Sequence, residues 1–69
     1  MDTIQIRDDF IKLGQALKKA GLVSEGVDAK YEILEGNVRV NGEVCTMRGK
    51  KLYKGDEFSF NGKTVKVED

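Results

Sequence analysis

The densest chemistry in this sequence is Arg48-Gly49-Lys50-Lys51, three cations in four residues, with Lys54 close behind. Cations at that density favour a phosphate-bearing partner, and the glycine among them lets backbone amides approach a phosphate closely. A solvated surface loop has the same composition, so the neighbours decide its role. Arg39 adds a further cation in an adjoining tight hairpin. Lys30 stands at the centre of an apolar helical arc. Its stem either covers apolar surface while the ammonium reaches water, or its ammonium emerges at a helix–sheet groove to meet a phosphate.

Other chemistries lack their parts. The chain has no histidine and one cysteine, Cys45, so it has no Ser-His or Cys-His pair and no common zinc or copper cluster. Neither standard glycine-rich phosphate loop occurs. Asp28, Glu32 and Glu35 share one helical stripe, as a solvated face does. A chain of 69 residues buries about 60% of its unfolded surface, leaving little volume for a deep pocket beside a core. The expectation is a non-catalytic protein without metal or cofactor. Cys45 reads as a half-buried packing residue in a strand, and an unpaired thiol fits a reducing compartment. No run approaches the length of a membrane span, and the first residues do not resemble a secretory signal. A cytoplasmic location is expected.

Net charge is zero, from twelve basic and twelve acidic residues. That sum disfavours a phosphate-rich partner, but its distribution does not. Residues 12–21 carry Lys12, Lys18 and Lys19 without an acid, and residues 38–54 carry Arg39, Arg48, Lys50, Lys51 and Lys54 against Glu43 alone. If the fold brings these blocks together, a neutral protein presents one basic face.

The positioning elements follow from periodicity and turn chemistry. Thr3 to Arg7 reads as a short strand. Asp8-Asp9 opens a helical period through Phe10, Leu13, Leu17 and Ala20, with Lys12, Gln15 and Lys19 opposite, and Gly21 closes it. Gly14 weakens that helix by about 1 kcal/mol relative to alanine, which makes Leu13 an alternative start. Ser24 caps a second helix to Leu34 or Glu35, closed by Gly36. Its apolar arc holds Val27, Ala29, Tyr31, Ile33 and Leu34. Asn41-Gly42 and Asn61-Gly62 each join two strand-like segments into a hairpin. The order strand, helix, helix, four strands predicts one α+β domain over residues 1–69, two helices packed on a small, mostly antiparallel sheet.

Several segments together resemble a known family. They are Leu13-Gly14-Gln15-Ala16-Leu17-Lys18-Lys19-Ala20-Gly21-Leu22-Val23, Ala29-Lys30, Gly36-Asn37-Val38-Arg39-Val40-Asn41-Gly42 and Lys54-Gly55-Asp56. This pattern is similar to the RNA-binding domain of ribosomal small-subunit protein four, the S-four or alpha-L domain. The extra N-terminal strand and Arg48-Gly49-Lys50-Lys51-Leu52 look most like its short free-standing bacterial members, the YaaA/YbcJ type. The resemblance implies a helix-turn-helix on a twisted sheet, a ribosome-associated role and a structured RNA partner, ribosomal or transfer RNA, bound through phosphates and shape. Carried over by position, it assigns contacts to Lys12, Lys30, Arg39, Asn41, Arg48, Lys50 and Lys51. Two departures narrow the implied footprint. Many members have Arg-Arg where this chain has Lys30-Tyr31, and Asp28, Glu32 and Glu35 add acids nearby. The alternative is a protein-interaction module of the same fold, docking on a ribosomal or replication partner; a monomer is expected in either reading.

Overall fold

The computed structural model describes all of residues 1–69. Its elements are β1 (Asp2–Gln5), β2 (Phe10–Lys12), α1 (Leu13–Lys19), α2 (Gly26–Leu34), β3 (Val38–Val40), β4 (Glu43–Val44), β5 (Lys51–Tyr53), β6 (Glu57–Phe60) and β7 (Lys63–Glu68). Five strands form one sheet in the order β1-β7-β6-β3-β4, and β2 and β5 form a separate ribbon. All pairings are antiparallel except β1 with β7. The expected α+β architecture, two helices with a mostly antiparallel sheet, is what the chain adopts.

Turn chemistry carries much of this. Asn41 and Gly42 have φ of 51° and 86°, and Asn61 and Gly62 have 53° and 80°. Positive φ at both central residues defines the type I′ turn, whose twist matches that of the paired strands. Both helices end as their glycines foretell. At α1, the Gly21 N–H donates to the Lys18 carbonyl and the Leu22 N–H to the Leu17 carbonyl; at α2, Gly36 and Asn37 donate to Ile33 and Glu32 in the same way. These are Schellman closures, made possible by glycine at positive φ.

Thirteen apolar residues make one core, from Ile4 and Ile6 through Leu13, Ala16 and Leu17 of α1 and Ala29 and Ile33 of α2 to the inner sheet face. On β3 the pattern alternates, with Val38 and Val40 inside and Arg39 outside. No helix is long and apolar enough to cross a membrane.

Four local expectations need correction. Phe10 to Lys12 form a strand, so α1 takes the alternative start at Leu13 rather than Asp8-Asp9; pairing of Phe10, Ile11 and Lys12 with Tyr53, Leu52 and Lys51 overrides the earlier part of the helical period. The cap of α2 is Glu25, extended and without a side-chain bond, not Ser24. The apolar arc of α2 is not buried as a whole: Ala29 and Ile33 enter the core, while Val27, Tyr31 and Leu34 are 70%, 63% and 58% exposed. With only about 70 residues there is too little opposing surface to cover so wide an arc. Lys30 is exposed too. Finally, the half-buried, free Cys45 lies just beyond β4 rather than within a strand, packed against the core.

Candidate nucleic-acid interface

The first turn of a helix leaves amides without intrahelical partners. At α1 the N-cap residue Lys12 supplies no side-chain bond. The basic loop does so instead: the Leu13 N–H donates to the Lys50 carbonyl at 2.9 Å and the Gly14 N–H to the Arg48 carbonyl at 3.1 Å. This capping joins the two basic blocks, which lie some thirty-five positions apart in the sequence. Lys12, Lys18 and Arg48, with Gly14, Gln15, Gly26 and Gly49, line an open cleft of about 400 Å³. No acidic side chain lines it.

Next to the cleft, the ribbon sets Lys12 directly opposite Lys51. Directly paired residues hold their Cβ atoms about 5 Å apart, and like charges there are destabilising. No carboxylate offsets them, because the one ion pair of the molecule joins Lys54 to Asp69 at 2.7 Å. That hydrogen bond from Lys54 to Asp69 holds the lysine above its ordinary pKa. Lys51 instead places its ammonium 4.8 Å from the centre of the Phe10 ring.

The other candidate residues lie apart from this cleft. Lys30 is four positions beyond Gly26 on α2, so it stands one turn on along the face that borders the cleft. Lys50 lines a different hollow, beneath the β3–β4 hairpin, with Glu43 and Cys45. Arg39 lies on the outer sheet face, where its guanidinium donates to the Gly42 carbonyl at 3.3 Å. Asn41 links two turns: its Nδ2 donates to Asp56 at 3.2 Å and its Oδ1 accepts from the Glu57 N–H at 2.9 Å. Asp56 also accepts from the Tyr53 N–H at 2.7 Å. Thus the Asn-Gly and Gly-Asp turns, separate in the sequence, form one latch.

Gln15 and Lys18 belong to the cleft although the motif reading did not assign them. The available signal was the acid-free block at 12–21, in which Lys12, Gln15 and Lys18 recur at steps of three.

Residues 4–68 match the sequence profile of the S4 domain. The chain belongs to the S4-domain family. Within it, the chain is 42% identical over 59 residues to RlbA of Bacillus subtilis, a protein named for ribosome maturation, covering 86% of this chain and 83% of that one. It is 39% identical over 57 residues to YbcJ of Escherichia coli, named for RNA binding, covering 83% and 81%. The solution structure of YbcJ, described as revealing an alpha-L motif involved in RNA binding, superposes with a TM-score of 0.76 at 34% identity. That match spans all of this chain and 89% of the YbcJ chain. The S4 fold implied by the resemblance is therefore the fold present.

Proposed function

We propose that this S4 protein is a non-catalytic RNA-binding domain that grips the phosphate backbone of structured RNA, of the ribosomal or transfer RNA class. The observation that carries this reading is the acid-free cleft of Lys12, Lys18 and Arg48, built by capping α1 with the basic loop. Lys51 extends it along the ribbon, and Lys30 extends it along α2. Phosphates accept from lysine and arginine in strong charge-assisted hydrogen bonds. The names of RlbA and YbcJ support the same reading, and RlbA supports a role in ribosome maturation. Arg39, Lys50 and Asn41 are peripheral in it, with Asn41 acting through the fold.

Each phosphate neutralised releases counterions, so log affinity for a duplex RNA should fall linearly with log salt. The combined variant Lys12→Ala, Lys18→Ala and Arg48→Ala should flatten that slope by about 2 to 3 units without loss of fold. An unchanged slope in the folded variant would remove the cleft from the interface. The exposed stripe of Val27, Tyr31 and Leu34 on α2 favours a second reading, a protein-docking module. Wild-type affinity that ignores salt while a protein partner is bound through that stripe would select it.

A further inference from the structure

The ribbon of β2 and β5 has two chemically different faces. Ile11 and Leu52 pair on the inner one, and Leu52 is fully buried. The outer face carries Phe10 opposite Tyr53 and Lys12 opposite Lys51. The two rings are 6.1 Å apart between centroids and tilted by 54°. Tyr53 is 50% exposed. Lys51 lies over the Phe10 ring, so Tyr53 is the ring left open.

Two adjoining surfaces give this face a direction. Lys12 belongs both to the ribbon and to the acid-free cleft. On the far side, Phe10 borders a groove in which Asp8 and Asp69 are balanced by Arg7 and Lys19, so that side carries no net charge. An RNA chain held by the cleft meets uncompensated cations on the side of Lys12 and Lys51, and its next base meets the aromatic pair. Aromatic rings flanked by cations are how proteins hold unpaired bases, since every base has a face to stack and a phosphate beside it.

We infer that Tyr53, backed by Phe10 and flanked by Lys51 and Lys12, is a stacking site for one unpaired base of the bound RNA. The inference rests on the proposed RNA reading and narrows it: the preferred ligand contains a bulge, loop or single-stranded end beside the gripped phosphates, since sequence-bearing RNA contacts favour unpaired bases. Lys51, held over Phe10, keeps the ring fixed and lies ready for the phosphate next to the stacked base.

The test uses two probes, a single-stranded oligoadenylate and a blunt-ended RNA duplex of the same length. Tyr53→Ala should weaken oligoadenylate binding by about fivefold to a hundredfold while leaving duplex affinity and both salt slopes unchanged. Tyr53→Phe, which keeps the ring, should bind as the wild type does. The chain has no tryptophan, so Tyr53→Trp supplies a single, selectively excited indole that oligoadenylate should quench and duplex should not. Stacking is overturned if folded Tyr53→Ala binds oligoadenylate normally, if it loses both probes equally, or if bound Tyr53→Trp emits unchanged. Should Tyr53→Ala fail to fold, the phenylalanine and tryptophan variants decide the matter. Loss of duplex binding in Arg48→Ala with Tyr53→Ala silent defeats stacking alone, whereas a wild type that binds neither probe defeats the RNA reading as well.

Discussion

The turn between β3 and β4 and the ribbon of β2 and β5 both carry residues that family resemblance assigns to RNA, and they use them in opposite ways. In the turn, Asn41 bonds Asp56 and the Glu57 N–H, and Arg39 bonds the Gly42 carbonyl. In the ribbon, Lys12 faces Lys51 with no carboxylate in ion-pair reach. Folding alone gives no reason for that second arrangement, because like charges opposite each other cost up to about 1 kcal/mol. Residues whose hydrogen bonds close within the molecule hold the fold, and cations left uncompensated in one place are free for an anionic ligand. A shared motif does not separate the two roles; the bonding partners do.

The comparison breaks most visibly at Leu52, which anchors the ribbon by burying its inner face. Leu52→Ala should cost about 2 to 5 kcal/mol in denaturant unfolding. A smaller loss would mean that the ribbon is not fixed to the core and that its outer face has no defined geometry. Next comes the latch. Asn41→Ala removes both side-chain bonds and puts alanine at a φ of 51°, which should lower stability by about 1 to 3 kcal/mol. RNA affinity of the folded protein should be unchanged. A variant of normal melting temperature and poor affinity would move Asn41 into the interface, beside Lys12 and Lys51.

The smallest effect is expected at Lys30, which lies between the two extremes: exposed, unpaired, and one turn along α2 from the cleft. Lys30→Met should leave the melting temperature unchanged, since the lysine is exposed, forms no ion pair, and methionine keeps its unbranched stem. It should lower the salt slope for duplex RNA by about one unit, the release of one phosphate contact. Melting curves and titrations at several salt concentrations read both. A slope equal to that of the wild type would confine the interface to the cleft and ribbon.

Much of the fold was legible because its signals are local. Asn41-Gly42 and Asn61-Gly62 adopt positive φ with little help from the rest of the chain, and Gly21 and Gly36 end helices for the same reason. Phe10 misled because a helical period and a three-residue strand share an apolar residue at that position, and the choice belongs to Tyr53, forty-three places away. The arc on α2 misled because periodicity counts apolar residues without knowing how much surface the rest of the fold can set against them.

The candidate site divides along the same line. Amino-acid types and local spacing determined the turns, the helix ends, the two basic blocks and the family they resemble, since each depends on backbone preferences within a few residues. The tertiary structure alone decided which cations meet. Two backbone hydrogen bonds from Leu13 and Gly14 bring Arg48 to Lys12 and Lys18, and strand pairing brings Lys51 to Lys12. Arg39 is turned to the opposite face by the alternation of a single strand. Charge is additive along a sequence, but a phosphate responds to charge at short range, and that range is set by how distant segments pack.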